Sequence, residues 1–399
     1  MTAVGTDRDG PGCRARLAAV LVLVALGAAV AGCGGKSSGK GDPIVVKQYA
    51  DRGYAPDRRY ETVAAQDTWA VGLDIVDVSL LVPAPPGSYP LVVYLPGLGE
   101  SPEAGASWRQ TWARAGYAVL SVQPARFGTA VWASKRARYG EFYAIAKEAF
   151  SAPSLATRAQ LLADTLAEAA RRQKDARMPD FARIDWSRIA IAGFDLGAQT
   201  AMVAAGGSFR GVEPVKLPDG VKCVVALSPY ADFSGMGTES NFQPVRLSVL
   251  SVTSPFDTDP YGLVTSAAVR RAPFQYMPPE KKYLLLLSGA PHSALAGTPL
   301  SVPDAKEGKG PQAQEEDASI VGDQTADPDE GRPGKRRRRL DSSASRGEQA
   351  AQRAKEQTQV QAVTTAYLDA IVKNDAVAAE WLTRNAKRWL GESAELMSK

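Results

Sequence analysis

The stretch 188–202, RIAIAGFDLGAQTAM, restricts the fold of this chain more than any other. Its first half, Ile189 to Ala192, is a short apolar run of the kind that forms a fully buried strand. From Leu196 onward the residues are small and apolar enough to begin a packed helix. Between them, Gly193-Phe194-Asp195-Leu196-Gly197 matches the Gly-x-Ser-x-Gly turn that lifts a nucleophile off the end of a strand, with aspartate in the serine position. The two glycines let strand and helix approach closely, and aspartate tolerates the left-handed backbone such a turn imposes. A pattern this short recurs by chance, so its weight depends on whether the chain supplies the partners the turn needs.

Those partners are an acid after a later strand and a histidine after the last one, in the chain order nucleophile, acid, histidine. The chain has a single histidine. It is His292, in SGAPHSALAG, just beyond the apolar run Tyr283 to Leu287 and therefore where the histidine belongs. Asp257, in TSPFDTDP after the run Leu247 to Val252, is the expected acid, with Asp259 as the alternative. Two backbone N–H groups are expected to serve as oxyanion donors: that of Leu196, directly after the nucleophile, and that of Leu98 in the glycine loop PGLGES.

The remaining chain frames this core. At 399 residues with 45% hydrophobic and 23% charged residues, a sizeable buried core is expected. A net charge of +4 argues against a nucleic-acid partner. Of the 3 cysteines, Cys13 and Cys33 are N-terminal and Cys223 lies in an apolar run, so no internal disulfide framework is expected. One histidine and one body cysteine do not make a zinc site of the usual type, and no cofactor is expected. Residues 1–32 read as a secretory signal, with Arg8, Arg14 and Arg16 ahead of the apolar run Leu17 to Val30. The sequence Val30-Ala31-Gly32-Cys33 resembles a bacterial lipobox, which implies lipidation of Cys33 and an extracytoplasmic, membrane-anchored protein. Residues 33–47 would be a flexible tether.

A core over 48–300 is expected to begin with two half-buried edge strands, Tyr60 to Val71 and Val76 to Val82. The run Leu91 to Leu95, its glycine loop, a helix from Pro102 to Ala115 capped by Ser101, and the run Tyr117 to Val122 make a βαβ unit and imply a parallel sheet. Residues 124–150, rich in aromatics, read as an excursion over one sheet edge. A helix ending near Arg172 precedes the turn; Val221 to Leu227, Leu247 to Val252 and Tyr283 to Leu287 are further strands, the last of these closing the sheet. Residues 301–347 have almost no large apolar residue and read as a disordered insertion that carries Lys335 to Arg339. Residues 348–399, with Val360, Val363, Tyr367 and Ile371 at helical spacing, should be helices that pack back on the core.

The pieces PLVVYLPGLGES, ARAGYAVLSV, IAGFDLGAQTAM, VLSVTSPFDTDP and YLLLLSGAPH together resemble the α/β-hydrolase superfamily. They look most like its cap-poor branch of dienelactone hydrolases, chlorophyllases, polyester hydrolases and platelet-activating-factor acetylhydrolase-like lipases. The resemblance covers about residues 60–295. It implies an α/β-hydrolase fold, a mostly parallel central sheet flanked by helices with no large cap domain. It also implies an ester-like or other small hydrophobic substrate. Carried over, Asp195 takes the nucleophile position, Asp257 the acid, His292 the base, and Leu98 and Leu196 the oxyanion donors.

The aspartate changes the chemistry. A carboxylate that attacks an ester must form a mixed anhydride while expelling an alkoxide, and two ionised carboxylates beside His292 favour its cationic form. Haloalkane dehalogenases and epoxide hydrolases, on the same fold, use an aspartate at saturated carbon and hydrolyse the resulting alkyl-enzyme ester. Those relatives also need a group that assists departure. Leu196 stands where a tryptophan often does, which leaves Tyr139 and Tyr143 as the tyrosines that would have to help. The sequence thus frames three readings: a hydrolase of ester or related bonds with an atypical nucleophile, a halide or epoxide hydrolase, and a ligand-binding lipoprotein without turnover.

Overall fold

A computed structural model describes residues 43–231, 238–300 and 334–399. The expected signal segment, Cys33 and the stretch 301–333 lie outside the described residues. The strands are β1 (Thr62–Val71), β2 (Asp74–Pro83), β3 (Tyr89–Leu95), β4 (Ala118–Pro124), β5 (Ile184–Phe194), β6 (Val221–Leu227), β7 (Ser248–Thr253), β8 (Lys282–Leu287) and β9 (Ala394–Ser398). They form one sheet in the order β1-β2-β4-β3-β5-β6-β7-β8-β9. Neighbours from β4 to β8 run parallel, whereas β1 on β2, β2 on β4 and β9 on β8 are antiparallel. This is an α/β fold with a mostly parallel sheet, consistent with the α/β-hydrolase fold.

The helices in chain order are α1 (Pro43–Ala50), α2 (Ala106–Arg114), α3 (Ala130–Ala133), α4 (Lys135–Arg138), α5 (Phe142–Ala149), α6 (Ala152–Arg172) and α7 (Leu196–Ala204). Next come α8 (Thr238–Phe242), α9 (Ala272–Tyr276), α10 (His292–Leu295), α11 (Gly334–Val372), α12 (Ala376–Glu380) and α13 (Ala386–Leu390). The central strands are mostly apolar because both faces are covered, with Ser121 and Gln123 of β4 and Ser251 of β7 buried among them. Leu91, Val93, Ile189 and Ile191 face α6 and α7, where they join Leu162, Leu166, Ala198 and Met202. The alternate residues Val92, Tyr94, Ala190 and Ala192 pack on the other face with Trp108 and Trp112 of α2 and Val363 and Tyr367 of α11. The two-residue period of each strand thus feeds two separate cores. Among the described residues no helix is long and apolar enough to cross a membrane.

Several expectations need correction. β2 is interior, bonded to both β1 and β4. Its polar Ser79 is buried, and accepts from Arg109 Nη2 at 2.7 Å instead of facing water. α2 starts at Ala106, because Gly105 is left-handed (φ 67°) and ends any earlier helix. A side chain there would strike the Tyr94 ring, and Ser101 closes a turn by accepting from Glu103 N–H. The expected tether contains helix: α1 begins at Pro43 and packs on α11. α11 starts at Gly334, inside the expected insertion, in a stretch of arginine, alanine, glutamine and lysine that favours helix. β8 does not close the sheet: β9 pairs with it from Tyr283–Ser398 to Leu287–Ala394. Residues 124–150 pack over the loops after β3 and β5, through Phe127, Ala146, Ala149 and Phe150 on Leu98 and Leu196, rather than over a sheet edge.

Candidate active site

The turn after β5 has the geometry its residues demand. Asp195 sits at φ 51°, ψ −108°, a backbone conformation rare for a residue with a side chain. A Cβ on Gly193 would lie 2.4 Å from the Gly197 carbonyl, and one on Gly197 would lie 1.9 Å from Leu95 O. Only glycine allows β3, β5 and α7 to come this close. Asp195 N–H donates to Leu227 O at 3.0 Å, and its carbonyl accepts from Gln199 N–H at 3.1 Å, which locks the strained residue at both ends.

The expected acid and histidine meet it. His292 Nδ1 lies 2.8 Å from Asp257 Oδ1, and His292 Nε2 lies 3.8 Å from Asp195 Oδ1. Facing a carboxylate, Nδ1 carries the proton, so the Nε2 lone pair is turned towards Asp195. Phe194 stacks on the imidazole with 4.9 Å between ring centroids. The loops that carry the pair are tied together by Ser254, whose hydroxyl donates to Ala290 O and accepts from Phe256 N–H. Asp259, the alternative acid, is spent on its own loop and accepts from the N–H groups of Tyr261, Leu263 and Val264.

Two residues that the sequence argument did not single out complete the set. The Ser228 hydroxyl donates to Asp257 Oδ1 at 2.7 Å and lies 2.9 Å from His292 Nδ1. Ser228 follows β6 as Asp195 follows β5, and it too is left-handed, at φ 54°. Arg270, fully buried, donates from Nε to Asp257 O and from Nη1 to Ser228 O, with Nε 3.2 Å from Asp257 Oδ1. Thr253 Oγ1 donates to Asp257 Oδ2 at 2.7 Å. Burial alone would raise the Asp257 carboxyl, but the His292 hydrogen bond and the Arg270 charge outweigh it and hold it below its ordinary value. Of the two carboxylates beside His292, Arg270 neutralises that of Asp257.

Asp195 is different. It is 3% exposed, and its Oδ1 has no hydrogen-bond partner among the described residues. Burial pushes its carboxyl above the ordinary value, against the pull of His292 and Arg270. A second buried cation lies behind the turn: Arg158 donates to Gln199 Oε1 at 2.5 Å and to Thr200 Oγ1 at 2.9 Å on α7. Burial pushes Arg158 down to about 9, with the Asp195 charge opposing.

The glycine loop adds a third acid. Glu100 Oε2 accepts from Gly97 N–H at 2.7 Å, and the loop is pinned by Gln123 Nε2, which donates to Gly97 O and Glu100 O. Burial pushes the Glu100 carboxyl up to about 7, the Gly97 bond opposing and the Asp195 charge adding to the rise. Leu98 and Leu196 sit in an apolar cluster with Phe127, Phe150, Trp132 and Tyr261. A cavity of about 350 Å³ reaches Leu98, and one of about 820 Å³ is lined by Tyr143, Phe150, Tyr230 and Leu263. Tyr139 is 72% exposed and turned away under Lys135, so it does not reach the site, whereas Tyr143 borders the larger cavity.

A scan against protein-family models returns no match, and a search of curated proteins returns none either.

Proposed function

We propose that this protein is a hydrolase of the α/β-hydrolase family in which the Asp195 carboxylate attacks a saturated electrophilic carbon. His292, oriented by Asp257, then drives water onto the ester that results. The observation that carries this reading is the unpartnered Asp195 Oδ1, buried and 3.8 Å from His292 Nε2. That spacing is too long for a hydrogen bond that would quench the nucleophile.

Ligand binding without turnover is the competing reading, favoured by the about 820 Å³ cavity with its aromatic lining. One experiment separates the two. With His292→Ala, alkyl halides or epoxides are expected to leave a stable mass increase on the peptide that contains Asp195, because attack proceeds and hydrolysis does not. No adduct across both panels would sink the hydrolase reading.

We also propose that Cys33 carries a lipid and holds the protein on the outer face of a bacterial membrane, as its lipobox-like context implies. Cys33→Ala is expected to abolish incorporation of labelled fatty acid and to move the protein into the soluble fraction. Membrane retention without label would count against the anchor.

A further inference from the structure

We infer that a second site, at the end of the sheet opposite Asp195, binds a phosphate ester between Arg59, Arg114 and Thr365. The inference is independent of the reaction proposed for Asp195.

Three segments build the site. β3 and β4 are parallel, so α2 between them runs back along the sheet, and its last residue, Arg114, lies where the parallel strands begin. The segment between α1 and β1 passes the same point, tied there by Tyr60 N–H, which donates to Arg114 O at 2.8 Å. α11 supplies the third wall, on which Thr358, Gln361 and Thr365 recur at one-turn spacing and share a face. These three residues, with Tyr54, Arg59 and Arg114, line one cavity of about 280 Å³, at the lower end of small-molecule sites.

Its polar groups are donors that lack an acceptor. Among the described residues, no carboxylate lines the cavity or pairs with Arg59 or Arg114. Thr365 is 2% exposed and its hydroxyl has no hydrogen-bond partner, a state that is costly for a buried group. The acids nearby are committed elsewhere or face water. Asp369, behind Tyr54, accepts from the hydroxyls of Tyr54 at 2.8 Å and Tyr117 at 2.7 Å, and Lys373 neutralises it at 2.7 Å. Asp375 accepts from the N–H groups of Val377 and Ala378 at the start of α12, and Asp57 is exposed. Two guanidinium groups and a buried hydroxyl around one small cavity match an anion with several acceptor oxygens. Tyr54 and Pro56 add an apolar wall, which favours a phosphate that carries an organic group over the bare ion. Two sources share that chemistry. One is a soluble phosphate ester, and the other is a phospholipid headgroup beside the lipid proposed on Cys33, 10 residues before α1.

The test reads individual arginines in the full-length protein. Phenylglyoxal modifies guanidinium groups, and peptide mass spectrometry gives a rate for each. A bound phosphate ester should slow Arg59 and Arg114 by at least about fivefold and leave Arg138, exposed on α4, unchanged. Protection by glycerol 3-phosphate supports the site with a soluble ester as ligand. Protection by phosphatidylglycerol vesicles, and not by glycerol 3-phosphate, supports it with the headgroup as ligand. Thr365→Val keeps the side-chain volume and should raise the half-protecting concentration of the effective probe roughly tenfold. Arg114→Gln should do the same when Arg59 is read, and since that side chain is exposed and unpaired its thermal melt should match the parent. No protection by either probe, or equal protection by glycerol or by sodium chloride at matched ionic strength, overturns the site. Equal slowing of Arg138 does so too, because it marks general shielding. A Thr365→Val curve that coincides with the parent overturns the role of the buried hydroxyl, and with it the pocket as drawn.

Discussion

Asp195→Asn is expected to lower turnover by at least about 10⁴-fold and, at neutral pH, to raise stability. The first effect follows from the proposed role of Asp195 as the group that forms the covalent intermediate, since such groups act as a unit with their base. The second follows from burial. A carboxyl raised above its ordinary value binds protons more tightly folded than unfolded, so its cost to stability grows as pH rises from the ordinary value and is complete above its folded value. The amide has no charge to desolvate. Its stabilising effect should therefore be largest at neutral pH and above, shrink on acidification, and vanish below the ordinary value of 3.8. Urea melts across that range check the stability, and single-turnover kinetics the loss. A variant that retains full turnover would exclude Asp195 as nucleophile. Slow recovery, with the mass change of deamidation, is the expected exception: water activated by His292 attacks the amide carbon as it would the ester.

The second large effect is structural. Arg270→Met should destabilise the protein by about 3–5 kcal/mol, the cost of leaving a buried charge without its partner. Asp257 and Arg270 are both fully buried, so neither has solvent to fall back on. The Asp257 carboxyl lies below its ordinary value. Its contribution is therefore present above the unfolded pKa and lost as pH falls through the folded one, and the penalty of Arg270→Met should shrink as the solution is acidified. Asp257→Asn in the same chain should recover part of the loss at neutral pH, because the orphaned charge is gone. Additive losses in the double variant would show that Arg270 acts through packing alone.

The legible part of this molecule was the part written in short-range pattern. Apolar runs mark β3 to β8, since strands covered on both faces are mostly apolar, with Ser121, Gln123 and Ser251 among the buried polar exceptions in β4 and β7. The turn at Gly193 to Gly197 was readable because its glycines are sterically compelled. Asp257 and His292 could be found from chain order, and the structure brings both to Asp195. Ser228 and Arg270 could not, because an arginine becomes a countercharge only once its connection folds back on itself, here bringing Arg270 onto Asp257 within the stretch between β7 and β8. A weak signal existed for Ser228, which ends β6 on the rim where Asp195 ends β5. Glu100 was quoted within its motif yet passed over, since only burial distinguishes it from a solvated loop acid. β9 was missed because AELMS looks like a helix remnant until β8 offers it an edge.

That late strand has a consequence for how the molecule comes into being. β8 leads into the loop that carries His292, and its outer edge stays an unpaired row of N–H and C=O groups until residues 394–398 arrive. During synthesis the chain must therefore make everything from α10 to α13 before the sheet can close beside its histidine. The corner of the fold that holds His292 is also among the last to be secured, and a nascent chain exposes there the kind of edge on which aggregates nucleate.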